Sequence, residues 1–245
     1  LGRCVRPDIL RCIQGLAAAV DYWGTKHTEA LRHLFSYIAE TRHFRCILQV
    51  HKKSTLAGLA LRTWSDASLA RPRSVSGCFA ALVDEHGTFL PLYWHSKRQC
   101  ITTVSSAASE FVAASVATHE VLPIHEALVK CGLVRPGQPM QLILDSRPLL
   151  LAIRRGFAPY DSTYSKHVAL RIGNLHDLEV DSRIQIGFTP TRTQRADGLT
   201  KVLNSDALVR SRFQMSIGNA TEVCQFHIEN SGGAILDLTA HGDIE

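Results

Sequence analysis

The sequence predicts a mixed α/β domain whose five-stranded sheet is flanked by helices, preceded by an N-terminal helical segment. Three features carry this expectation. Short runs with alternating apolar residues recur at Leu59–Thr63, Ile184–Phe188 and between them. Long 3.6-period stretches separate them. The element order is three strands, a helix, a strand, two helices and a last strand, which is neither all-β nor a bundle.

In chain order, residues 8–21 and 27–41 read as two helices. The first has Ile9, Ile13, Leu16, Ala17 and Val20 on one stripe, and the second has Leu31, Leu34, Phe35 and Ile38. Pro7 suits a first helical turn, and Trp23-Gly24 separates the two. From residue 57 the pattern alternates toward Ser65-Asp66, a strand expected to end at the acid. Ser76–Val83 and Phe89–His95 are the next strands, joined by an Asp84-Glu85-His86-Gly87 turn. A helix over Ser105–Lys130 follows, with Pro123 expected to kink or break it. Gln141–Leu144 is a short strand ending at Asp145. Residues 147–155 and 163–178 are helical, and Arg183–Thr189 is the last strand, closed by Pro190. Beyond residue 215 the pattern weakens into a tail or small add-on containing Ser231-Gly232-Gly233.

Composition narrows the function classes. Hydrophobic residues make up 45% and charged residues 20%, so a packed core is expected and global disorder is not. The net charge of +5 suits a polyanionic partner. Seven cysteines without a C-x-x-C pair argue against a disulfide framework and a structural zinc site, and favour an intracellular setting. No apolar run is long enough for a membrane span. The chain begins with Leu and is expected to be a piece of something longer.

Four acids fall at positions where they could converge. Asp66 and Asp145 close predicted strands, Glu110 lies in the first turns of the long helix, and Asp197 follows the last strand. Carboxylates about 4 Å apart repel by several kcal/mol at an intermediate dielectric, so such a cluster calls for a cation. Hard oxygen ligands select Mg²⁺ or Mn²⁺. Two such ions suit in-line attack of water on a phosphodiester. Taken singly, each acid is more often a turn, cap or solvated helix residue; weight comes only from the four in this order.

The local sequences are more specific. Trp64-Ser-Asp-Ala-Ser68 with Arg73-Ser-Val-Ser-Gly77 resembles the opening of the RNase H domain of copia-type retrotransposon polyproteins. Trp94–Gln99 is similar to that family's W-x-S-K-K-Q, and Val104–Phe111 to its L-S-S-T-E-A-E-Y helix start. Leu144-Asp145-Ser146 stands where the family has C-D-N, Ser165-Lys166-His167 where it has T-K-H, and Thr193–Lys201 follows D-Q-x-A-D-x-L-T-K. Arg6–Ile9 and the His27–Thr41 helix resemble the stretch joining reverse transcriptase to RNase H, and no Y-x-D-D polymerase signature is present.

The resemblance implies an RNase H-like fold over 56–203, a reverse transcriptase-to-RNase H connecting segment over 1–55, and a C-terminal helix and tail over 204–245. It implies a two-metal endoribonuclease cutting the RNA strand of RNA/DNA hybrids, with Asp66, Glu110, Asp145 and Asp197 as ligands of two Mg²⁺ (or Mn²⁺) ions. His167 would serve as a proton shuttle or a structural histidine, and Arg73, Lys97, Arg98, Lys166 and Arg195 would contact nucleic acid. An adjacent or covalently linked reverse transcriptase would be a partner, and the setting would be cytoplasm, within a virus-like particle, and nucleus. The chain departs from the family at Ala108, where a first Glu is usual, at Ser146 in place of Asn, and at Leu69 in place of an aromatic. A catalytically inactive remnant, or a domesticated domain that binds nucleic acid or protein, would keep the same fold. So would nucleases acting on DNA.

Overall fold

A computed structural model describes residues 1–157 and 166–230. The start of the helix expected at 163, Ser165 of the Ser-Lys-His run, and Ser231-Gly232-Gly233 lie outside the described residues. Chain order runs α1 (Leu10–Ala17), α2 (Thr25–Glu40), β1 (Arg45–Cys46), β2 (Ala60–Ser68), β3 (Val75–Val83), β4 (Phe89–Arg98), α3 (Ser106–Lys130), β5 (Met140–Leu144), α4 (Arg147–Arg155) and α5 (Lys166–Val180). It closes with β6 (Ile184–Phe188), α6 (Asp197–Thr200), α7 (Ser205–Gln214), β7 (Ile217–Gly218) and α8 (Ala220–Glu229).

Five strands form one mixed sheet in the order β4-β3-β2-β5-β6. The β2–β3–β4 meander is antiparallel, while β5 and β6 add in parallel to β2. Parallel pairing requires crossovers, and α3 and α4–α5 supply them. The β3–β4 turn forms because the Asp84 carboxylate accepts from the His86 and Thr88 amides at 2.9 and 2.8 Å, and Gly87 takes φ 101°.

Two corrections to the sequence reading concern element ends. Strand β2 does not stop at Asp66 but continues to Ser68, because the β3 partner runs on and pairs Asp66 with Gly77 and Ser68 with Val75. Pro123 does not break α3, which stays helical for 25 residues. Tertiary packing overrides the local preference here: Val121 and Leu122, just before the proline, are buried.

Each face of the sheet covers its own core. Leu61, Cys78, Ala80 and Leu142 meet α3, α4 and α5 through Phe111, Leu150, Ile153, Ile172 and Leu175. On the other face Trp64, Phe79, Ala81 and Ile143 meet Leu10, Leu199, Met215 and Ile217. Strand β3 is thus buried at all nine positions. Among the described residues no helix is long and apolar enough to cross a membrane.

Segments before and after the five-stranded sheet contribute to the second core. Arg6 and Asp8 form a buried ion pair at 2.8 Å; Arg6 also reaches Thr41, and Tyr37 donates to Asp8 at 2.8 Å, so α1 and α2 are tied together. Strand β1 pairs antiparallel with β7. The weak pattern after residue 215 therefore hides two structured elements, β7 and α8. Truncating fully buried Ile217 to Ala is expected to cost roughly 2–5 kcal/mol, read as a lower denaturation midpoint with an unchanged m-value. An unchanged midpoint would mean that the β1–β7 region is an independent appendage.

Candidate active site

Strand register places the first two acids. Strands β2 and β5 are parallel with Trp64 opposite Ile143, so Asp66 and Asp145, each two residues further, lie side by side on one sheet face. The third arrives from the loop after β6. Gln194 donates to the Ser65 carbonyl at 2.9 Å and fastens that loop to β2, after which Asp197 opens α6. Oxygens of Asp66, Asp145 and Asp197 all lie within 4.8 Å of one another.

Close approach of α6 depends on Gly77. A Cβ there would stand 2.7 Å from Thr200 Cγ2, 2.9 Å from Leu199 Cβ and 3.0 Å from the Ala196 carbonyl. With glycine in place, the Thr200 hydroxyl donates a hydrogen bond to Asp66. Lys201 Nζ then sits 2.6 Å from Asp197 and 3.5 Å from Asp66. Thr200 and Lys201 were missed as site residues by sequence reasoning; the available signal was the i,i+4 spacing of Asp197 and Lys201. The Thr191 hydroxyl donates to Asp145 at 2.9 Å.

Glu110 contributes no oxygen to the three-carboxylate group. The Ser106 hydroxyl donates to it at 3.5 Å, and the Asp145 charge acts on it from the end of β5. Ser146, which stands where the resembled family has Asn, favours the ionised form of Glu110. The N-terminus of α3 is held by a polar lattice. Ser105 caps it by accepting from the Ala108 amide; Ser109 bonds to Ser74 at 2.9 Å and Thr103 at 2.6 Å; Gln99 donates to Ser76 and to the Ser109 carbonyl. Ser74, Ser76 and Gln99 belong to the motif runs singled out in the sequence, and here they anchor the helix that carries Glu110.

The electrostatics are those of a site short of positive charge. Burial pushes Asp66 up to about 7; Lys201 and Thr200 oppose the rise, while Asp197 and Asp145 add to it. Burial likewise raises Glu110 and Asp197, the latter despite its bond to Lys201. For Lys201, burial works against the ammonium, but Asp66 and Asp197 outweigh it and raise its pKa. Three carboxylates with one oxygen each turned to a common point form a hard donor set compatible with a divalent cation.

The other residues singled out lie elsewhere. His167 is exposed at the start of α5, and its carbonyl accepts from Arg171; among the described residues no hydrogen bond or ion pair joins it to the acids. Arg73, Arg98 and Lys166 are exposed. Lys97 is held by Glu120 at 2.6 Å, in a cluster that includes Tyr93 and His95. Arg195 is packed inward over Phe89 and Trp64, 4.2 and 5.0 Å from the ring centroids, and donates to the Gln214 carbonyl.

No family model matches the sequence. It is 25% identical over 217 residues to the retrovirus-related Pol polyprotein from transposon RE1 of Arabidopsis thaliana. That match covers 87% of this chain and 14% of the polyprotein, so the chain spans only a small part of its relative. Solved structures with some likeness include RNase H1 from the halophilic archaeon Halobacterium salinarum NRC-1, at 14% identity and a TM-score of 0.41, covering 58% of this chain and 94% of that one. Another is a foamy viral protease-reverse transcriptase in complex with dsDNA, at 16% identity and a TM-score of 0.38, covering 59% and 92%. The chain is similar over most of its length to a segment of a retrovirus-related Pol polyprotein from a transposon, and its described residues form a mixed five-stranded sheet flanked by helices.

Proposed function

We propose that the chain is a metal-dependent endoribonuclease that cleaves the RNA strand of RNA/DNA hybrids as part of a copia-type retrotransposon polyprotein. The observation that carries this reading is the convergence of Asp66, Asp145 and Asp197 from β2, the end of β5 and α6. Asp66, Asp145 and Asp197 would hold two divalent ions, Mg²⁺ or Mn²⁺, and Glu110, on which the Asp145 charge acts, would complete the set. When bound, the ions supply Lewis acidity and the positive charge that the buried carboxylates lack.

The chain's own residues orient the substrate and its protons. Thr200 and Thr191 keep the Asp66 and Asp145 carboxylates turned toward the site. In the reaction a water oxygen bonds to phosphorus, the bond to the leaving oxygen breaks, and that oxygen takes up a proton. His167, at the start of α5, is the proposed carrier of that proton. Arg73, Lys97, Arg98, Lys166 and Arg195 are the proposed grip on nucleic acid. The hybrid would be chosen by groove shape and 2′-hydroxyls. An adjacent or covalently linked reverse transcriptase would supply the hybrid, in the cytoplasm within a virus-like particle and in the nucleus.

Lys201 is the observation that favours a second reading. Its ammonium already bridges Asp66 and Asp197, so a domain that never exchanged it for metal would be a non-catalytic binding module or remnant. Cleavage of the RNA strand of a labelled hybrid under Mg²⁺ and Mn²⁺, with Asp145→Asn beside the parent, separates the two. The expected result is metal-dependent cleavage by the parent and at least a roughly thousandfold loss in the variant, equivalent to about 4 kcal/mol of transition-state stabilisation. A folded parent that cuts nothing under either metal, even joined to an upstream reverse transcriptase, would give the lead to the binding module.

A further inference from the structure

A groove of about 410 Å³ opens on the sheet face that bears Asp66, between β2, β5, β6 and the α7–α8 layer. Four arginines line it: Arg62, Arg192, Arg195 and Arg210. Among the described residues no carboxylate lines it or pairs with any of the four. The inner two are fixed in place. Arg62 donates through Nε to Gln141 at 2.9 Å and lies over the Trp64 ring, while Arg195 is wedged over Phe89 and Trp64. Among the described residues each makes one side-chain donation, Arg62 to Gln141 and Arg195 to the Gln214 carbonyl, which leaves further guanidinium N–H groups without a protein acceptor there. Arg192 and Arg210 are exposed at the rim.

Four cations without a counter-ion in one concave site are costly to keep empty. Burial lowers Arg62 to about 10. An anion with several acceptor oxygens relieves both the repulsion and the unmet donors, and planar guanidinium forks suit phosphate. We propose that this groove binds phosphate groups of a nucleic-acid strand that continues past the three carboxylates.

Position argues for a strand over a small anion, and this part rests on the nuclease reading above. Arg62, Trp64 and Asp66 point to the same face of β2, so the groove begins about 7 Å from the acids. One strand carries a charge every 3.4 Å or so along a duplex axis, which puts the groove roughly two nucleotides away. The loop carrying Arg192 also carries Thr191, whose hydroxyl is bonded to Asp145. A backbone crossing the acids therefore meets the arginines next.

The test is binding of a fluorescein-labelled 18-base-pair RNA/DNA hybrid in EDTA, by anisotropy over a range of salt. It uses the full chain, the double variant Arg192→Gln/Arg210→Gln, and Lys52→Gln/Lys53→Gln as an equal-charge control in an exposed loop that does not line the groove. The arginine variant is expected to bind roughly tenfold more weakly, with a salt slope smaller by about 1.4–1.8 for two lost phosphate contacts. The lysine control should match the parent. Equal losses in both variants, or none in either, overturn the proposal. Tripolyphosphate bound by the parent and lost in the arginine variant, with hybrid affinity unchanged, assigns the groove to a small phosphate ligand and also overturns it. Because the assay needs no metal, it separates from the cleavage reading: binding through the arginines without cleavage leaves the groove standing and removes the nuclease.

Discussion

Asp66→Asn is expected to abolish cleavage while raising the melting temperature of the metal-free protein at alkaline pH. Burial pushes the Asp66 carboxyl from its ordinary 3.8 up to about 7. The folded chain therefore holds this proton more tightly than the unfolded chain does. Between about pH 4 and pH 7 the native state binds more protons, so Asp66 makes stability fall as pH rises through that window. The full shift corresponds to roughly 4 kcal/mol lost by pH 8. An amide in its place has no proton to lose, and its carbonyl keeps an acceptor for Thr200. In EDTA the variant should melt with the parent near pH 4 and several degrees above it near pH 8. Mn²⁺ or Mg²⁺ should close that gap by stabilising the parent alone. A variant that melts below the parent at pH 8, or a gap that ignores pH, would mean that Lys201 already neutralises the site.

The sheet and two of its acids were legible for one reason: local periodicity carries them. Leu59, Leu61 and Thr63 alternate into Asp66, and Ile184, Ile186 and Phe188 mark β6. The end of β2 was not legible, because Ser68 is held in the strand by Val75 of β3 and not by its own sequence. Strand β7 is two residues long and pairs with Arg45–Cys46 near the other end of the chain, so no period exists to detect. Thr200 and Lys201 escaped for a similar reason. Their role depends on where a four-residue helix lands, and that is set by the missing side chain at Gly77. Arg195 shows the limit of reading charge from sequence. The sequence reads it as a nucleic-acid contact, and no local pattern shows that its guanidinium stacks inward over Phe89 and Trp64.

Gly77→Ala should test how far the site depends on that landing. Of the three atoms that a Cβ would crowd, Leu199 Cβ and the Ala196 carbonyl cannot rotate away, since both are fixed by the backbone around α6. Only the Thr200 methyl belongs to a side-chain end. The helix must therefore lift from β3, taking Asp197 and Lys201 with it and stretching the Thr200 bond to Asp66. Overpacking of this kind costs about 1–3 kcal/mol. The larger effect should be catalytic, because a displacement near 1 Å in a positioned group can cost on the order of a hundredfold. Calorimetric titration with Mn²⁺ should show weaker binding in parallel, since Asp197 would no longer share a centre with Asp66 and Asp145. Adding Thr200→Ser removes the methyl but keeps the hydroxyl, so it should recover part of the stability and little of the metal affinity. Parent-like cleavage and metal binding in Gly77→Ala would show that α6 is held by Gln194 and Leu199 alone, and that the glycine is incidental to the site.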